Sequence, residues 1–185
     1  DNRTSGTTQN LYGITYGNGA FLTSGQSGTI LTSSDGITWT SRTSGTSNDL
    51  YGIIYGNNLF VAVGINGTII TSTDGTTWTS RTSGTSEYLR KVIYANSLFV
   101  TVGFNGELLT SSNGTSWTSR TSNTDKYLFS IGYGNGKFVV GGRGVYLNSS
   151  NGTRRKICSR SLLCVSIDCY RVIRCLAWYV DCFKF

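Results

Sequence analysis

The sequence predicts an all-β protein, and three observations support that prediction. Gly, Ser, Thr and Asn supply 88 of the 185 residues, and such a composition favours turns and short strands over helices. The chain repeats itself with a period of 39 residues. Each period contains four runs of β-branched and aromatic residues between turn signals. A four-stranded unit repeated about every 40 residues is typical of the blades of a β-propeller.

Apolar and aromatic anchors define the period. Four residue types return at the same step: Leu11, Leu50, Leu89 and Leu128; Tyr16, Tyr55, Tyr94 and Tyr133; Phe21, Phe60, Phe99 and Phe138; Trp39, Trp78 and Trp117. We therefore expect a β-propeller-like array over 1–153, with four-stranded antiparallel blades at about 11–49, 50–88, 89–127 and 128–153. A stacked β-solenoid is the alternative, but its coils usually have a shorter period.

The second copy shows how each repeat divides. Its predicted strands cover 50–55, 59–63, 68–72 and 76–82, and GNN, GING and TDG mark the turns between them. Residues 2–11 resemble residues 41–50, so the chain begins inside a repeat. If four blades close a ring, residues 1–6 are expected to pair as the outer strand of the last blade. The absence of Met is expected of a processed or excised product.

The turn before the fourth strand carries the most specific motif. It reads SSDGITW at 33–39, STDGTTW at 72–78 and SSNGTSW at 111–117. An Asp or Asn side chain can accept backbone N–H bonds across such a turn, Gly takes the positive φ, and Trp anchors the next strand.

These three segments resemble the Asp-box, or BNR, repeat in a form one residue shorter than the usual pattern. The resemblance implies the propeller repeats of sialidase-like and photosystem-assembly-factor-like proteins. It implies structural roles for Asp35, Asp74, Asn113, Asn151, Trp39, Trp78 and Trp117.

The composition argues against an enzyme. With no His, the chain has no imidazole base and no His metal ligand. With no Pro, it lacks the Pro-containing Arg segment of sialidases, and Glu87 and Glu107 have no matching context. We predict no catalytic residue, no metal and no cofactor.

The segment that leads into each repeat varies, although the rest of the repeat is copied. It reads TQN, SND, SEY and DKY before the four leucines, and the residue after each leucine also differs. Variable loops on a constant scaffold are expected to bind ligands, although drift at exposed positions explains the variation too. The predicted ligand contacts are Tyr12, Tyr51, Arg90, Phe129, Asp49, Glu87 and Lys126.

Two further patterns recur. Arg3, Arg42, Arg81 and Arg120 lie on the predicted outer strand, where they either discourage edge-to-edge pairing or form a ring of guanidinium groups for anionic glycans. Possible N-glycosylation sites occur at Asn2, Asn66, Asn113, Asn148 and Asn151. Their presence is compatible with an extracellular or cell-surface location.

The tail at 154–185 differs from the repeats. It contains all 5 cysteines, and its net charge is +5 against +2 for the repeats, so the basic character predicts no nucleic-acid binding. Its pattern permits an amphipathic helix over about 160–183, a degenerate fifth repeat or a non-native end, and its interrupting charges predict no membrane span.

Two functions fit these observations. The first is a non-enzymatic, extracellular binding module that recognises carbohydrate or another surface ligand through its inter-blade loops. The second is a structural surface protein that self-assembles as a homo-oligomer or filament, or forms part of a longer propeller, with no small-ligand site.

Overall fold

The computed structural model describes residues 4–149 and the backbone of residues 156–157, and it is all-β. Four antiparallel sheets of four strands follow one another along the chain, each in sequential strand order. The predicted fold class is confirmed. The helix, the fifth repeat and the cysteine chemistry predicted for the tail lie outside the described residues.

Each sheet is one blade. Blade 1 contains β1 (Leu11–Gly17), β2 (Ala20–Gly25), β3 (Ile30–Ser33) and β4 (Thr40–Arg42). Blade 2 contains β5 (Leu50–Gly56), β6 (Leu59–Gly64), β7 (Ile69–Ser72) and β8 (Thr79–Arg81). Blade 3 contains β9 (Leu89–Ala95), β10 (Leu98–Gly103), β11 (Leu108–Ser111) and β12 (Thr118–Ser119). Blade 4 contains β13 (Leu128–Gly134), β14 (Lys137–Gly142), β15 (Val145–Ser149) and β16 (Lys156–Ile157).

The first strand of each blade is innermost. β1 lies against β5, β5 against β9 and β9 against β13, whereas β4, β8 and β12 form the outer edges. One-turn 3-10 helices join the second and third strands of the first three blades at Gln26–Gly28, Ile65–Gly67 and Phe104–Gly106.

The outer strands are shorter than the sequence predicts. β8 covers Thr79–Arg81 rather than the predicted 76–82, because residues 72–78 form a turn held by side-chain hydrogen bonds.

The hydrophobic core lies between blades. Each blade has a leading face toward the next blade and a trailing face toward the one before. Between blades 1 and 2, Leu22 and Ile30 of the leading face pack with Leu50, Ile53 and Phe60 of the trailing face. The same pattern recurs in two further clusters, between blades 2 and 3 and between blades 3 and 4. No blade buries its apolar side chains alone, so the array is stabilised by its interfaces.

A tyrosine ring on a glycine marks these interfaces. A Cβ added at Gly17 would overlap the ring of Tyr55, and a Cβ added at Gly56 would overlap the ring of Tyr94. The absence of a side chain therefore creates the space that the ring of the next blade fills. Gly134 is the matching residue of blade 4, and nothing lies within 4 Å of a Cβ there.

Among the described residues, the array is open between its first and last blades. Ile14 and Tyr16, on the trailing face of blade 1, are 65% and 59% exposed. The pairing expected of residues 1–6 in a closed ring is not formed by its described part, because residues 4–10 contain no strand and β16 is the outer strand of blade 4. Pairing β15 with the nearby β16 costs less loop-closure entropy than pairing it with the distant N-terminal segment. β16 lies beyond the boundary predicted at 153.

We predict that Gly56→Ala destabilises the chain by about 1–3 kcal/mol, because the ring of Tyr94 must move to admit the methyl group. Ser41→Ala, at an exposed position of the outer strand β4, is the control, and we expect it to change stability by less than about 0.5 kcal/mol. Urea unfolding of both variants measures the two effects. Equal effects would contradict the proposed role of the tyrosine–glycine contact.

Candidate ligand-binding surface

Each first strand contains a β-bulge at the same position. In blade 2, Leu50 pairs with Gly64 and Gly52 with Val63, so Tyr51 is an extra residue in the ladder. The same register shift makes Tyr12, Arg90 and Phe129 the extra residues of β1, β9 and β13. A bulge redirects the side chain of its extra residue. One repeated backbone feature therefore places four of the predicted ligand contacts, which we call the bulge row.

Side chains of the bulge row contact one another across the first three blades. The ring centroids of Tyr12 and Tyr51 are 5.1 Å apart, and Cζ of Arg90 lies 4.3 Å from the centroid of Tyr51. A guanidinium over an aromatic face is attracted by the ring quadrupole, so Arg90 and Tyr51 orient each other. Burial raises the pKa of the Tyr51 phenol, and the Asp49 carboxylate raises it further. Tyr51 therefore keeps its O–H donor at physiological pH.

Three aromatic side chains that the sequence did not single out extend this surface. Phe104 stacks on Tyr127 with centroids 4.2 Å apart and planes at 10°, and Tyr88 lies 5.2 Å from Phe104. Tyr127 also meets Phe129 edge-on at 6.3 Å, which joins the group to the bulge row. We call Tyr88, Phe104 and Tyr127 the aromatic stack. Tyr88 and Tyr127 are each more than one-third exposed.

A sequence signal for the aromatic stack does exist. Tyr88 and Tyr127 are the last residues of the variable SEY and DKY segments, where the earlier copies have Asn10 and Asp49. Phe104 occupies a position that also varies between copies. The sequence alone does not show that the 3-10 turn that contains Phe104 lies beside the linkers that contain Tyr88 and Tyr127. The stacking of these three rings could therefore not be predicted.

The three predicted polar contacts are placed differently. Asp49 accepts the backbone N–H of Ser27 at 2.8 Å and lies close enough to Tyr51 to influence its pKa. Glu87 is held through its backbone, since its carbonyl accepts the N–H of Gly67 at 2.8 Å. Lys126 forms an exposed ion pair with Asp125 at 3.1 Å. Of the three, only Asp49 is brought to the bulge row by a described interaction.

The Asp and Asn residues of the turns at 33–39, 72–78 and 111–117, which we call the Asx turns, act as hydrogen-bond acceptors. Asp35 accepts the N–H groups of Ile37 and Thr38 at 2.8 Å and the hydroxyl of Ser33 at 2.9 Å. Asp74 makes the same three bonds with Thr76, Thr77 and Ser72, and Asn113 makes them with Thr115, Ser116 and Ser111. Since an amide replaces the carboxylate, the turn needs an acceptor rather than a charge.

These bonds also govern the ionisation of the turns. The backbone N–H of Thr38 is the largest cause that lowers the pKa of Asp35 from 3.8 to about 2. The backbone N–H of Thr77 likewise lowers the pKa of Asp74. A carboxyl that stays ionised at neutral pH cannot donate a proton as a general acid. The two tryptophans of blades 2 and 3 complete the turns, since Trp78 and Trp117 donate to the carbonyls of Gly75 and Gly114, whereas Trp39 is half-buried beside β1.

Three of the recurring arginines are anchored at the outer edges, and the fourth, Arg3, lies outside the described residues. Nε of Arg42, Arg81 and Arg120 donates to Thr32, Thr71 and Thr110 of the neighbouring strand at 2.8–2.9 Å. Arg81 also lines a cleft of about 550 Å³ between the linkers that precede and follow blade 2, together with Asn48 and Asn66. This polar cleft was not predicted.

The predicted glycosylation sites differ in accessibility. Asn66 is exposed at the centre of its 3-10 turn, with φ of 53°. Asn113 uses its side-chain oxygen to hold an Asx turn, and Asn148 is half-buried in β15 opposite Val139. Asn2 and Asn151 lie outside the described residues, as does the structural role expected of Asn151.

Other kinds of site find no support in residues 4–149. This part of the chain brings together no group of three or more acidic or metal-ligating side chains that could hold a metal ion. It also contains no helix with the length and apolar character needed to cross a bilayer. The exposed aromatic rings, the oriented guanidinium and the nearby carboxylate can instead stack on and hydrogen-bond to a ligand.

No protein-family model matches the chain, and no curated protein sequence does. Solved structures match in fold. YCF48 bound to D1 peptide has a TM-score of 0.65 at 14% identity, with 83% of this chain and 55% of that chain covered. The extracellular domain of BT4673 from B. thetaiotaomicron has a TM-score of 0.66 at 12% identity over 85% of this chain and 23% of that one. The GH74 enzyme of Niastella koreensis has a TM-score of 0.53 at 23% identity over 77% of this chain and 23% of that one.

These likenesses show that the chain has a β-propeller fold. The chain spans about half the length of the solved structures it matches first, at 55%, 58% and 48% of those chains.

We predict that the Asx turns make stability fall with acid. Folding lowers the pKa of Asp35 from 3.8 to about 2, so the ionised carboxylate stabilises the folded chain at pH values above 3.8. That stabilisation is lost as the pH falls toward about 2 and the carboxyl takes up a proton. The melting temperature of the wild type should therefore drop more steeply between pH 4 and pH 2 than that of the double variant Asp35→Asn/Asp74→Asn. The variant keeps the acceptor, as Asn113 does, but does not titrate. Parallel pH profiles measured by circular dichroism would contradict this assignment.

Proposed function

We propose that the chain is a non-enzymatic, extracellular propeller module of the Asp-box class that binds carbohydrate at the bulge row and the aromatic stack. The observation that carries this proposal is the presence of two groups of side chains in mutual contact at the same end of the blades. The first group is Tyr12, Tyr51 and Arg90, and the second is Tyr88, Phe104, Tyr127 and Phe129. The residues that form the scaffold are repeated from blade to blade, whereas the residues at these positions vary.

The surface has the chemistry of a sugar site. The apolar face of a pyranose ring packs on an aromatic ring, and exposed Tyr12, Tyr88, Tyr127 and Phe129 offer such rings. Neighbouring rings, with centroids 4.2–6.3 Å apart, form a platform longer than one sugar, which suits an oligosaccharide. The rings are already held by one another, so little side-chain entropy is lost on binding.

Charged groups give the platform polarity. The Arg90 guanidinium lies over the ring of Tyr51, with Cζ 4.3 Å from the ring centroid, and it forms no salt bridge within residues 4–149. Its N–H groups can therefore donate to the hydroxyl, carboxylate or sulfate oxygens of a sugar. Asp49 supplies acceptor oxygens beside the same tyrosine.

We propose that the chain is not a glycosidase because of the state of its carboxyl groups. Glycoside hydrolysis needs two carboxyl groups that flank the bond, one of them able to give up a proton. Asp35 and Asp74 are ionised and occupied by their turns, and Asp125 pairs with Lys126. At 23% identity, the likeness to a GH74 enzyme concerns the fold and does not carry its activity to this chain.

The comparisons support a binding role in a general way. A propeller named YCF48 was solved with a peptide, and another neighbour is an extracellular domain. A peptide is the second candidate ligand, since aromatic rings and a guanidinium also suit an extended chain.

We predict that Tyr12→Ala and Arg90→Ala each weaken binding of an oligosaccharide by about twofold to tenfold, because one stacking contact contributes about 0.5–1.5 kcal/mol. A glycan array with the full chain identifies the oligosaccharide, and titration calorimetry measures the two variants against it. Ile37→Ala and Lys137→Ala are matched controls, since both residues are exposed and lie at the end of the blade that is farther from the bulge row.

Equal losses in the control variants would contradict the proposed surface. Binding of peptides but of no glycan would contradict the carbohydrate assignment while keeping the surface, provided that Tyr12→Ala and Arg90→Ala reduce peptide binding.

A further inference from the structure

The trailing face of blade 1 is an apolar surface that no other described blade covers, and Ser5 lines a cleft beside its Leu11 and Ile14. Leu11, Ile14 and Tyr16 are 40%, 65% and 59% exposed. One period later, Leu50 and Ile53 occupy the same positions and are at most 3% exposed, because blade 1 covers them. The face that every later blade buries is therefore uncovered in the first blade.

The leading face of blade 4 is the counterpart of this surface. Gly134 corresponds to Gly17 and Gly56, which receive the rings of Tyr55 and Tyr94. Neither Gly134 nor Gly132 has any atom within 4 Å of where a Cβ would stand. Val139, on the same blade, is 47% exposed. Blade 4 therefore has the glycine of the inter-blade contact, but no described tyrosine packs on it.

We propose that the leading face of blade 4 docks on the trailing face of blade 1 of a second copy of this chain, with Tyr16 of the second copy placed on Gly134. The partner is identified by complementarity: the described chain presents both halves of an inter-blade interface that occurs three times internally, twice with the tyrosine ring on a glycine. Association removes Ile14, Tyr16 and Val139 from water, which is the main driving force for such a contact.

The geometry of this contact is head-to-tail. A heterologous contact of this kind closes into a ring when its rotation permits. Two copies bring eight blades, which lies within the range of four to eight found in propellers.

Docking also extends the bulge row. Equivalent side chains of adjacent blades meet at 5.1 Å for Tyr12 and Tyr51. The same packing places Tyr12 of the second copy beside Phe129, so the row continues from one copy into the next. This consequence does not depend on what the row binds.

Light scattering coupled to size exclusion tests the proposal on the full chain, under reducing conditions so that the tail cysteines cannot link copies. We expect a mass of two copies at micromolar concentration. Gly134→Phe fills the receiving space without a clash inside a single chain, and it should raise the dissociation constant at least tenfold. Tyr16→Ala should have the same effect.

Tyr88→Ala is the matched control, because this tyrosine is exposed but lies on neither end face, and it should leave the mass unchanged. Circular dichroism spectra and melting temperatures establish that all variants fold. A mixture of Gly134→Phe with Tyr16→Ala should restore association, since that pair retains one intact tyrosine–glycine contact.

A monomeric wild type would overturn the proposal, because the end faces would then be covered by other residues of the chain or by none. Association that Tyr16→Ala abolishes but Gly134→Phe does not affect would also overturn it. That result indicates blade 1 packed on blade 1.

Discussion

The structure depends on a tyrosine ring that packs on a glycine of the preceding blade. The ring of Tyr55 fills the space at Gly17, and the ring of Tyr94 fills the space at Gly56. A single blade cannot bury its apolar side chains, so this contact and the apolar clusters around it decide how the blades are spaced. Blade 3 shows what the glycine provides. It has Ala95 at this position, and Tyr133 of blade 4 is 40% exposed, so the tyrosine packs less deeply where a methyl group is present.

The candidate ligand surface is a consequence of this stacking. Because the first strands lie side by side, a bulge at one position in each of them brings the extra residues of successive blades into contact. Variation at that position then changes the surface without changing the scaffold, since an extra residue pairs with nothing across the ladder. The aromatic stack belongs to the same surface because the 3-10 turn of blade 3 lies beside the linkers that precede blades 3 and 4.

The repeated features, namely the four-stranded blades and the Asx turns, could be predicted from the sequence. The β-bulge, which depends on how the strands pair, could not. The 39-residue step and the turn motifs specify four-stranded blades, and the Asx turns form the hydrogen bonds expected of them. The variable residues of the bulge row could be identified as exceptions to the repeat. The bulge itself could not, because Leu50, Tyr51 and Gly52 read as ordinary alternation and the shift arises only from pairing with β6. For the same reason, Phe104 gave no sign that it stacks between Tyr88 and Tyr127.

The central claim is that one tyrosine–glycine contact joins blades within a chain and between chains. Hydroxyl-radical footprinting of the tyrosines, read by mass spectrometry, tests it most directly. We expect Tyr16 of the wild type to be as protected as Tyr55 and Tyr94. When Gly134 carries a bulky side chain, Tyr16 should become reactive while Tyr55 and Tyr94 stay protected. Tyr127 of the aromatic stack should be reactive in both proteins. Protection of Tyr55 and Tyr94 no greater than that of Tyr127, or a Tyr16 equally reactive in both proteins, would contradict the account.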